Sequence, residues 1–149
     1  MTTRSAHFDA WARQFLAAHP QATVLHLGCG LDSRFFRLQP GSGVEWYDVD
    51  YPEVAALRTQ LCPGAEHYHV VAASVTDPAW LADIPADRPT LMIGEGLTMY
   101  RTDHDGIALL RRVIDRFCRW CRRWPIWRSI TATHSDLRGI FAVAWCCIC

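Results

Sequence analysis

The sequence predicts an open, doubly wound α/β domain with a mostly parallel sheet. Short apolar runs rich in β-branched residues alternate with segments of helix length along residues 1–117. Strands alternating with such helices form right-handed crossovers in a parallel sheet. No internal repeat or low-complexity tract competes with this pattern.

The first segment, Phe8 to Ala18, sets Phe8, Trp11, Ala12, Phe15 and Leu16 at helical spacing before "HPQA" ends it. "TVLHLG" is a short apolar run stopped by glycine, the pattern of a buried parallel strand. "LDSRFFRL" after the glycines is able to start a helix, with Asp32 or Ser33 able to cap it. "VEWYDVD" is a second strand, and "PEVAALRTQLC" a second crossover helix with Pro52 in its first turn. "YHVVAAS" is a third strand, "DPAWLADI" a short helix and "TLMIGEG" a fourth strand. "TDHDGIALLRRVIDRF" closes the series as a helix, with Ile107, Leu110, Ile114 and Phe117 as its apolar stripe.

Residues 118–149 break the pattern. Five of the seven cysteines and four of the seven tryptophans crowd there. "GIFAVAWCCIC" is able to add one strand beside the fourth, but this atypical tail is not expected to be an independent domain. Its composition reads as an altered frame or a shortened gene, so the sheet is expected to be incomplete at its C-terminal end. The Cys118-x-x-Cys121 spacing suits thiolate coordination, yet Cys146, Cys147 and Cys149 form an irregular, apolar second group, and no metal site is expected. Exposed apolar residues in the tail favour self-association. The "RRWPIWR" stretch offers arginine and tryptophan for stacking on a nucleic acid, although chance clustering explains it equally well.

Composition narrows the classes of function. Fifteen basic and fifteen acidic residues balance, leaving no overall field to hold nucleic acid or an anionic membrane, so a small-molecule partner is expected. The N-terminal segment lacks the apolar core of a signal peptide, and no apolar run is long enough to span a bilayer. An odd number of cysteines without an export signal points to reduced thiols and a cytoplasmic location.

In a doubly wound sheet the ligand lies at the carboxyl ends of the strands. Gly28-x-Gly30 after the first strand lets backbone approach a nucleoside-containing cofactor. A dinucleotide fold expects a third glycine where this chain has Ser33. Asp48 and Asp50, at the end of the second strand, are both candidates to bind ribose hydroxyls. Glu95 follows the fourth strand at the same edge. A carboxylate there suits a cationic, amino-bearing ligand and repels a pyrophosphate. His26, inside the first strand, reads as a core histidine, and Tyr100 as a packed aromatic or an acceptor contact.

"VLHLGCGLDSRFFRL", "WYDVDYPEV", "ASVTDPAWL" and "IGEGLTMY" resemble, in order and spacing, the leucine carboxyl methyltransferase family, especially its bacterial polyketide O-methyltransferase-like branch. The resemblance runs from about Arg4 to Phe117. It implies a class I, Rossmann-like S-adenosylmethionine-dependent methyltransferase core over residues 1–117. By the same resemblance Gly28 and Gly30 face the methionine part of the cofactor, Asp50 the ribose, Ser74 and Val75 the adenine, and Glu95 the sulfonium and amino end. Arg4 pairs with the cofactor carboxylate. The acceptor is a carboxylate or hydroxyl of a small molecule. Family members are longer, with further strands and a substrate-covering region after the segment that ends here near Phe117. The competing expectation is a non-catalytic nucleotide-binding α/β module or an NAD-binding fragment.

Overall fold

The computed structural model describes residues 3–97, 102–117 and 144–146. The elements are α1 (Thr3–Ala18), β1 (Ala22–Leu27), α2 (Arg34–Leu38), β2 (Val44–Asp50), α3 (Pro52–Leu61), β3 (Tyr68–Ala72), a 3-10 turn (Pro78–Leu81), β4 (Thr90–Ile93), α4 (Asp103–Phe117) and β5 (Ala144–Cys146). The strands form one sheet in the order β3-β2-β1-β4-β5. Four of them are parallel, and β5 joins antiparallel to β4 with Leu91 opposite Trp145. The expected α/β architecture is therefore present, and the strand expected within "GIFAVAWCCIC" lies where that segment was placed.

Chain order reverses between β1 and β4, so the crevice that such sheets open for ligands falls at the ends of those two strands. Side-chain alternation builds a core on each face. Leu25, Leu27, Val49 and Met92 pack with Trp80, Leu81 and the α4 residues Leu109, Val113 and Phe117. Val24, Val44, Trp46, Leu91 and Ile93 pack with Phe8, Ala12 and Phe15 of α1. Every residue of β1 is buried, as a central strand covered on both faces requires.

Three local expectations are corrected. The first helix begins at Thr3 rather than near Phe8, ahead of its first apolar contact. Ser33 occupies the N-cap position of α2 without a capping bond from its side chain. Asp32 instead faces the guanidinium groups of Arg34 and Arg37. On α4 the expected stripe holds at Phe117, and Leu110 packs against the core, but Leu109 and Val113 are the other buried residues and Ile107 is 49% exposed. The apolar arc of this helix is wide enough to hold both stripes, and the sheet selects the one rotated toward it.

Among the described residues, no helix is long and apolar enough to cross a membrane.

Candidate functional site

The turn after β1 is shaped by its glycines. Gly28 has φ +62° and Gly30 φ +52°, a region that side chains with a Cβ rarely enter. A Cβ on Gly30 would meet nothing within 4 Å, so the backbone there borders open space. At Gly28 a Cβ would lie 2.9 Å from Cδ1 of Leu97, a residue of the turn after β4. The two turns thus face one another across the switch point.

Asp50 ends β2 beside this loop. One carboxylate oxygen accepts from the Gly30 N–H at 2.7 Å, and the other accepts from the Tyr51 N–H at 2.8 Å. The group is half-buried, oriented by backbone, and retains lone pairs for a further donor. Glu95 follows β4 with its side chain 13% exposed. It accepts from Arg34 Nη2 at 2.7 Å and from the Ser5 hydroxyl at 3.2 Å. Arg4 precedes Ser5 in the first turn of α1, so this helix begins at the Glu95 end of the site.

Ser74 follows β3 and bonds the Thr76 hydroxyl at 2.8 Å. The Val75 side chain is buried in the α4 face of the core. Gly28, Gly30, Asp50, Ser74, Val75 and Glu95 therefore lie at or just beyond the carboxyl ends of the four parallel strands. Tyr100, together with Cys118 and Cys121, lies outside the described residues.

The two acidic candidates on β2 separate sharply. Asp48 is fully buried and surrounded by donors. One oxygen accepts from His26 Nδ1 at 2.8 Å and Trp46 Nε1 at 2.9 Å, while the other accepts from Arg58 Nε at 2.7 Å and the Tyr68 hydroxyl at 2.6 Å. Arg58 Nη2 pairs with the same carboxylate. Burial pushes the Asp48 carboxyl up, but His26, Tyr68 and Arg58 outweigh it and hold the group below its ordinary range. Asp48 is thus a charge committed to the protein, and Asp50 is the carboxylate at the rim. His26 is the core histidine its position suggests, with Nδ1 donating to Asp48 and Nε2 accepting from Arg34 at 3.3 Å.

Four further charged residues, Asp9, Arg34, Arg37 and Arg58, organise the site. Arg34 is fully buried and joins Asp9 on α1 at 2.9 Å to Glu95 after β4. Arg37 adds two bonds to Asp9, at 2.6 and 3.1 Å. Burial opposes ionisation of Asp9, and the bonds from Arg37 and Arg34 reverse that, leaving its carboxyl below the ordinary range. Arg58, also fully buried, reaches from α3 beneath the glycine loop. Parity offers a clue to it: Asp48 shares a strand face with Val44 and Trp46, and an inward carboxylate requires a buried cation. Nothing comparable in the sequence singles out Arg34 or Asp9.

The profile of the leucine carboxyl methyltransferase family matches residues 1–114. The tetracenomycin polyketide synthesis O-methyltransferase TcmP of Streptomyces glaucescens is 51% identical over 114 residues, which cover 76% of this chain and 42% of that protein. The S-adenosyl-L-methionine-dependent methyltransferase dpfgK of Gibberella zeae is 40% identical over 125 residues, covering 78% of this chain and 42% of its own. The chain thus spans less than half the length of these two relatives.

Proposed function

Because this chain belongs to the leucine carboxyl methyltransferase family, we propose that it holds S-adenosylmethionine and directs methyl transfer to a carboxylate or hydroxyl oxygen of a small, polyketide-type molecule in the cytoplasm. The observation that carries the reading is the meeting of an open, positive-φ glycine turn, a rim carboxylate and a second, braced carboxylate at the ends of β1, β2 and β4.

These groups fit the cofactor better than a dinucleotide. α2 has only five residues, and Arg34 is already paired with Asp9 and Glu95, so little positive potential remains for a pyrophosphate. When bound, S-adenosylmethionine supplies a methyl group activated on a sulfonium. In this assignment Gly28 and Gly30 admit the methionine part and Asp50 accepts from the ribose hydroxyls. Ser74 and the Val75 backbone border the adenine. Glu95 accepts from the amino group, Arg4 pairs with the carboxylate, and Tyr100 is the candidate to meet the acceptor. The protein's own contribution is positioning and exclusion of water, because in-line displacement at an activated methyl needs no general base when the acceptor is a carboxylate.

The test is transfer of isotopically labelled methyl from S-adenosylmethionine to a panel of small aromatic acids and phenols. Labelled ester or ether supports the reading. A chain that binds neither S-adenosylmethionine nor S-adenosylhomocysteine refutes it.

A further inference from the structure

We infer that Arg58 is a positioning residue that sets the glycine loop and, through Gly30, aims the Asp50 carboxylate. The inference rests on the assignment of Asp50 to the ribose of S-adenosylmethionine. Its basis is how the Gly30 peptide is held. Arg58 Nη1 donates to the Gly30 carbonyl at 2.9 Å, and Nη2 donates to the Asp32 carbonyl at 2.7 Å. The Gly30 N–H donates to Asp50 at 2.7 Å. Two loop carbonyls are therefore drawn down onto one guanidinium, while the N–H of the same glycine is committed to the rim carboxylate.

The guanidinium is fully buried, so solvent does not compete for its donors. Its remaining edge is fixed by Asp48, which Tyr68, Trp46 and His26 brace from β3, β2 and β1. Glycine at φ +52° with open space above it has no side chain to lock its conformation. The lock comes from beneath, from a planar fork that spans two carbonyls at once. A lysine ammonium carries the charge but lacks that fork. Arg58→Lys therefore retains a cation for Asp48 and gives up the paired hold on the loop.

The experiment titrates S-adenosylhomocysteine into the wild-type chain, Arg58→Lys, Asp50→Asn and the double variant, with urea unfolding of each. Tyr68→Phe serves as the control, since it removes a hydroxyl that donates to Asp48 and accepts from Arg58 Nε at 2.8 Å, yet leaves both bonds from the Arg58 fork to the loop carbonyls in place. Arg58→Lys is expected to lose at least tenfold in affinity. The double variant is expected to lose little more than Asp50→Asn alone, because both changes act through one carboxylate. Tyr68→Phe is expected to lose stability while keeping affinity within about threefold. The inference is overturned if Arg58→Lys binds within twofold of wild type, if the two losses simply add, or if Tyr68→Phe loses affinity as Arg58→Lys does. A wild-type chain that binds no S-adenosylhomocysteine refutes instead the methyltransferase reading beneath it.

Discussion

Replacing Asp48 by asparagine leaves the shape of the side chain almost unchanged and inverts the hydrogen-bonding character of one of its two termini. Four donors converge on this carboxylate from His26, Trp46, Arg58 and Tyr68. Whichever oxygen the amide nitrogen replaces, it meets a group that only donates, Trp46 Nε1 at one and Arg58 Nε at the other, and Arg58 loses its buried counter-charge in either orientation. Breaking a buried pair at one end costs about 3–5 kcal/mol, because the surviving charge keeps its desolvation penalty. Against a total stability of about 5–15 kcal/mol for a domain, this is about a fifth of the margin or more. Urea unfolding followed by tryptophan fluorescence reads the effect as a fall in midpoint at unchanged slope. The double variant Asp48→Asn/Arg58→Met removes the charge at both ends and is expected to recover at least about 2 kcal/mol relative to additivity. A loss below about 1 kcal/mol in the single variant would show that the pair is not sealed from water and would refute the reasoning.

Asp50→Ala acts in the opposite sense: it is expected to leave stability within about 1 kcal/mol and to weaken S-adenosylhomocysteine binding by about 1–3 kcal/mol, read by calorimetric titration. Asp9 and Asp48 both have carboxyls held below the ordinary value of 3.8, so their contribution is complete well above that pH and is lost as pH falls below it toward their folded values. Urea midpoints measured against pH should therefore drop steeply only in acid, and less steeply in Asp48→Asn; a drop that begins above about pH 5 would contradict this sign. Burial, followed by the Asp48 charge, pushes the Cys29 thiol up to about 12, so alkylation at pH 8 should spare Cys29 in the folded chain and label it in urea, as peptide mapping would show. A Cβ on Gly43 would lie 2.5 Å from the Pro20 carbonyl oxygen, whereas one on Gly30 meets open space. Gly43→Ala should consequently lower the thermal midpoint more than Gly30→Ala, whose cost is the left-handed backbone alone, about 1–2 kcal/mol.

Much of the scaffold is legible from residue order. "VEWYDVD" corresponds to β2 from end to end, because its alternation and the following Tyr-Pro leave little freedom at either boundary. Pro52 in the first turn of α3 and the glycine stop after β1 likewise mark ends that local chemistry dictates. Helix faces are less legible: α4 carries apolar residues around a broad arc, and only the sheet distinguishes Leu109 and Val113 from Ile107. The positions of Gly28, Gly30, Asp50 and Glu95 can be read in sequence because each sits at or just after the end of a strand. Their supports are harder to read: the inward parity of Asp48 calls for a buried cation without naming Arg58, and Arg34 looks like an ordinary helical arginine until the fold brings Asp9 and Glu95 to it.

The measurement that bears most directly on the site is calorimetric titration of the wild-type chain, under reducing conditions, with S-adenosylhomocysteine and with NAD in parallel. A glycine turn without a third glycine, a five-residue α2 and an Arg34 charge consumed by Asp9 and Glu95 predict binding of S-adenosylhomocysteine and at least tenfold weaker binding of NAD. Equal or tighter binding of NAD would contradict the assignment of this edge to S-adenosylmethionine.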